Sequence, residues 1–148
     1  MREKNRGSGC AVLAVAHGGL SEGIRGLLST AFSSVVMVAD EGALSECVQS
    51  LHPAIVVLDL GLVPGGGLGA VARLRAAHPE VVLFVLGGDA DPGVARAVMA
   101  AGATRFLLKR SLGTELMQAV DEIVADPARK RAGSQGHKST PATPGSDE

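Results

Sequence analysis

Apolar residues fall along this chain in short runs separated by longer stretches of mixed polarity. The runs are Cys10–Ala16 (CAVLAVA), Val35–Ala39 (VVMVA), Ala54–Leu58 (AIVVL), Val81–Leu86 (VVLFVL) and Phe106–Leu108 (FLL). They are Val-rich, and most are apolar at successive positions, as expected of strands in a parallel sheet covered on both faces. Each run is followed by apolar residues at helical spacing. Leu20, Ile24, Leu27 and Leu28 make one stripe, and Leu44, Cys47, Val48 and Leu51 the next. Leu68, Val71 and Leu74 follow, then Val94, Ala97, Val98 and Ala101. Leu116, Ala119, Val120, Ile123 and Val124 form the last stripe. Breakers separate the elements at His52-Pro53, His78-Pro79, Asp91-Pro92 and Ala101-Gly102. Five β–α units predict a doubly wound α/β domain with right-handed crossovers and helices on both faces. Its site is expected at the C-terminal ends of the strands.

The ends of the chain break this pattern. Residues 1–9 are charged and contain Gly and Ser, and residues 127–148 contain no Val, Ile, Leu or Phe. Both read as flexible tails around a domain spanning 10–126, because such segments bury too little surface to offset their ordering entropy. The 148 residues are 46% hydrophobic and 2% aromatic, so an aliphatic core is expected. A formal charge of −1 gives no global attraction to nucleic acid or anionic membranes. No apolar run reaches the roughly 18 residues of a membrane span, and none follows the basic N-terminus as a secretory leader would, so a cytoplasmic location is expected. Cys10 and Cys47 lack metal-ligand spacing and read as buried reduced thiols.

The candidate chemistry centres on Asp59, a carboxylate ending the apolar run PAIVVLDL and followed by GLVPGGGLG. A buried acid is unfavourable unless it is paired or reaches water. Pairing with Lys109 at the mouth of a partly open site satisfies that condition. His17 reads as a solvated loop residue, and Gly65–Gly67 as a flexible loop, since no P-loop Lys-Ser/Thr follows. Arg129-Lys130-Arg131 reads as a solubilising charge run.

VVLDL, LLK at the fifth strand, AGATRFLLKRSLGTEL (Ala101–Leu116), GGDADP (Gly87–Pro92) and LSEGIRGLL (Leu20–Leu28) together resemble the receiver domain of bacterial response regulators. The resemblance covers residues 10–126 and is nearest to the helix-turn-helix (LuxR/NarL-type) subfamily. It implies a flavodoxin-like (βα)5 sheet in strand order 2-1-3-4-5. It also implies phosphoryl transfer from a histidine kinase to an aspartate after strand three, assisted by Mg²⁺ on acidic residues after strand one. Asp59 falls at the phosphoacceptor position, Lys109 at the lysine, and Phe106 at the aromatic switch. The acidic pair, however, falls on Val15 and Ala16, and the hydroxyl residue on Gly87 with Gly88 beside it. The loop proline comes one residue late, at Pro64. Asp40 is two strands away, and Asp89 in the fourth loop is the nearest substitute carboxylate.

These departures predict a degenerate receiver in a two-component system, acting by protein–protein contact without cofactor or metal and with no catalytic residues. Its expected partner is a histidine kinase or an output or regulatory protein. Two other readings stay open. One is an ordinary receiver using Mg²⁺ and phosphorylated on Asp59. The other is a small-molecule sensor whose pocket is enlarged at Val15, Ala16, Gly87 and Gly88. An enzyme is not expected, since no nucleophile–base pair or metal cluster accompanies Asp59. Helix four, strand five and helix five offer a surface for a homodimer, with Val94, Val98 and Met99 beside Arg96, Arg105, Asp121 and Glu122. No helix-turn-helix pattern follows residue 126, so DNA contact by this chain is not expected.

Overall fold

The computed structural model describes residues 9–16, 18–63, 67–88 and 91–125. Five strands alternate with five helices: β1 (Cys10–Ala14), α1 (Gly18–Leu28), β2 (Ser34–Val38), α2 (Glu41–Leu51), β3 (Ile55–Asp59), α3 (Leu68–Ala77), β4 (Leu83–Gly87), α4 (Pro92–Ala101), β5 (Arg105–Leu108) and α5 (Leu112–Ala125). Short 3₁₀ turns, Leu60–Leu62 and Lys109–Ser111, follow β3 and β5. The sheet is wholly parallel, in the expected order β2-β1-β3-β4-β5. Residues 1–8 and 127–148 of the expected tails (Arg129–Arg131 among them), with Asp126, His17, Pro64, Gly65, Gly66 and Asp89, lie outside the described residues.

Strand residues alternate between two cores. Ala11, Leu13, Ile55, Val57, Phe84, Leu86 and Leu107 face α1 and α5, where they meet Ile24, Leu28, Leu116 and Val120. Val12, Ala14, Val56, Leu58, Leu83 and Val85 face α2, α3 and α4, where they meet Leu44, Val48, Val71, Leu74 and Val98. Both sides of β3 and β4 are fully buried, which is why their sequences are uniformly apolar.

Local chemistry sets the helix ends. The Asp40 carboxylate accepts the Ala43 N–H at 2.8 Å and caps α2, so this acid is committed to its helix. Asp91 caps α4, with Pro92 in its first turn. Gly102 (φ +122) ends α4 in a conformation open to glycine, and a Cβ there would meet Arg75 Cγ at 2.6 Å.

Several expectations of burial are corrected. Val98 is wholly buried in the core and Val94 packs against it, so of the three apolar α4 residues only Met99 is exposed. Leu51 and Leu68 are exposed because they sit in terminal turns, where the helix leaves the sheet. Cys10 and Cys47 are free but half-buried rather than buried, lying at the outer margin of the second core.

Candidate functional site

Asp59 is the last residue of β3, the central strand, and its side chain has no exposed surface. The sequence suggested a partly exposed carboxylate; the structure seals it. Its Oδ1 accepts the Gly61 N–H at 2.9 Å and lies 2.8 Å from Lys109 Nζ. Its Oδ2 receives a longer contact, 3.4 Å, from the Ala16 N–H. The buried anion is thus balanced by one cation and two backbone dipoles.

The elements explain the convergence. After Asp59 the chain turns at once into the 3₁₀ segment Leu60–Leu62, which Asp59 caps by accepting from the residue two positions on. Lys109 begins the equivalent turn after β5, and its side chain is 22% exposed while its ammonium reaches inward to Asp59. Ala16 leaves β1 beside β3 and contributes through its backbone alone. The pairing of Asp59 with Lys109 was legible from the family resemblance. The two N–H donors were missed, although an acid followed two residues later by glycine is a known turn signal.

Gly87 ends β4 under the ring of Phe106. A Cβ at Gly87 would stand 2.7 Å from both Cε1 and Cζ of that ring, closer than side-chain carbons approach. Leu60, next to Asp59, would be 3.6 Å from the same Cβ. Leu60 also crowds Gly67, since a Cβ there would meet Leu60 Cδ2 at 2.7 Å and its Cα at 3.1 Å. Gly67, expected as part of a flexible loop, is buried and sits at the N-cap of α3.

Mg²⁺ requires several oxygen ligands in near-octahedral array. Val15 packs against the α1/α5 core, and Ala16 has no side-chain oxygen. Among the described residues no cluster of three His, Cys, Asp or Glu could hold a metal. With no side-chain oxygen from Val15 or Ala16 beside Asp59, the described donor set does not fit the ion.

Residues 17–121 match the family model described as the response regulator receiver domain. The chain belongs to that family. Receivers of this kind are signalling modules of two-component systems, and they exchange signals with histidine kinases and output domains. This receiver is 37% identical over 73 residues to the photosynthetic apparatus regulatory protein RegA of Rhodobacter capsulatus, a match covering 49% of this chain and 40% of RegA. It is 29% identical over 119 residues to the transcriptional activator protein ExaE of Pseudomonas putida, covering 78% of this chain and 51% of ExaE. This receiver therefore spans about half the length of the curated relatives it matches. The crystal structure of a LuxR-family response regulator from Aurantimonas superposes with a TM-score of 0.72 at 25% identity, covering 87% of this chain and 97% of that one. No described helix is long and apolar enough to cross a membrane.

Proposed function

We propose that this receiver is a protein-contact module of a bacterial two-component system that does not depend on Mg²⁺-assisted phosphorylation of Asp59. Its signalling unit is residues 10–126, and it works in the cytoplasm without cofactor or catalytic residues. The observation that carries this reading is the state of Asp59: fully buried, paired with Lys109, and beside Val15 and Ala16 where metal-binding acids would be needed. Without a metal, most of the charge stabilisation for phosphoryl transfer is missing. Gly87 also has no hydroxyl to hold a phosphoryl oxygen, and the Phe106 ring occupies the space above it.

The partner is a signalling protein, a histidine kinase or an output or regulatory protein, which meets the α4–β5–α5 face. Exposed Met99 and Arg96 and the Arg105–Glu122 ion pair give that face a mixed apolar and charged character. A second copy of the chain is the rival occupant of this face.

Asp59 and Lys109 are the features that favour the ordinary receiver instead. Incubation with a small phosphodonor and Mg²⁺, read by intact mass, separates the two readings. The expected outcome is unmodified protein. A phosphate adduct that disappears in Asp59→Asn establishes the ordinary receiver and ends the proposal.

A further inference from the structure

The two open edges of the sheet are guarded differently. At the β5 edge, Arg105 is paired with Glu122 on α5, and the exposed Arg110 follows just after the strand. Charges of this kind are the usual protection against edge-to-edge pairing. The β2 edge has none. From Ser33 to Ala39 the sequence SSVVMVA contains no charge, proline or glycine. Val35 packs on the α1/α5 core and Val38 on the opposite core, whereas Val36 and Met37 join neither. Met37 is 43% exposed, among the most open large apolar side chains of the described residues.

We infer that the β2 edge is a self-association surface on which a second copy of this chain pairs strand to strand. Antiparallel pairing about a two-fold axis at Val36 sets Ser34 against Val38, Val35 against Met37, and Val36 against its own copy. Such an interface is self-complementary. Every cross-strand pair is neutral and most are apolar, the combinations that stabilise neighbouring strands. Two β5 edges brought together would instead bring the charged Arg105–Glu122 pair of each copy into the seam. Residues 127–148 of the same chain are a poor alternative occupant, since they offer no Val, Ile, Leu or Phe to the strand. Five paired residues bury less than a standard interface, so the dimer is weak and concentration-dependent. Pairing through β2 leaves the α4–β5–α5 face uncovered in both copies, and the inference does not rest on how Asp59 is used.

Sedimentation of the full chain over a wide concentration range tests this. Wild type is expected to self-associate, and Met37→Lys or Val36→Lys to raise the dissociation constant about tenfold or more. Met37→Lys alters a side chain that is 43% exposed and joins neither core, so it keeps the test valid if Val36→Lys unfolds by circular dichroism. With Cys10 and Cys47 replaced by Ala, Val36→Cys is expected to give a covalent dimer with a short bis-maleimide. A monomer at every concentration overturns the inference. So does association indifferent to Met37→Lys, or association abolished by Met99→Lys on the α4 face.

Discussion

Lys109 and Asp59 do not contribute symmetrically, because one can reach water and the other cannot. Lys109→Met leaves a buried carboxylate with only the Gly61 and Ala16 N–H groups, and removing one partner of a buried pair costs about 3 kcal/mol. A fall in melting temperature of about 10 °C is expected. Asp59→Asn keeps an oxygen for the Gly61 N–H and leaves behind an ammonium whose side chain is 22% exposed. Its cost is expected near 1 kcal/mol. Thermal melts of the two variants check the order, and the opposite order would mean the carboxylate is not sealed. Gly87 and Phe106 form a second coupled pair. Gly87→Ala must displace the ring, at a cost of about 1–3 kcal/mol. In a double-mutant cycle Phe106→Ala is expected to abolish most of that cost, because the ring is what the new methyl meets. Equal costs in both backgrounds would show that the backbone, and not the ring, resists the substitution.

Glycines within helices and at their ends fall into two classes that sequence spacing does not distinguish. Gly23 and Gly26 lie within α1, and a Cβ at either meets nothing within 4 Å. Gly23→Ala and Gly26→Ala are each expected to stabilise by about 0.5–1 kcal/mol. Gly102 has positive φ and supports the guanidinium of Arg75, whose Nε donates to the Gly102 carbonyl at 2.8 Å. Arg75 also donates to the Pro79 carbonyl at 2.9 Å, so one side chain ties the end of α3 to the α4–β5 turn. Gly102→Ala is expected to destabilise by about 1–3 kcal/mol. Urea midpoints at constant slope separate the two classes.

The same contrast explains what the sequence made legible. Runs such as AIVVL and VVLFVL report strands buried on both faces, because that burial leaves no polar position. Sheet order came from the resemblance, while β–α alternation alone predicted only a doubly wound sheet. Gly67 was misread because its constraint is Leu60, which lies across a turn. The sealing of Asp59 was hidden because backbone N–H groups from Ala16 and Gly61 carry no sequence identity. The seat of Phe106 on Gly87 joins different strands, so local periodicity has no access to it.

At the scale of the whole molecule, the sheet separates two aliphatic cores and gathers Asp59, Gly87, Lys109 and the end of β1 at one rim. The helices around that rim are also tied to one another, and this linkage gives stability a dependence on acid. Arg73 on α3 donates twice to Glu41 at the start of α2, at 2.6 and 2.8 Å. The hydrogen bond from Arg73 holds the Glu41 carboxyl below its ordinary value of 4.5; partial burial opposes it, and the charge of Arg73 reinforces it. A carboxyl lowered in the folded state binds protons more readily when unfolded, so its stabilisation is complete above 4.5 and is lost as pH falls through the folded value. The side chain of Arg73 is 63% exposed, so the contribution is small and screened by salt. Melting curves of wild type and Glu41→Gln should therefore differ above pH 4.5 in low salt and converge as the solution is acidified. Added salt should narrow the difference at the higher pH. A gap that persists in acid would assign Glu41 a packing role at the head of α2 and remove charge from its account.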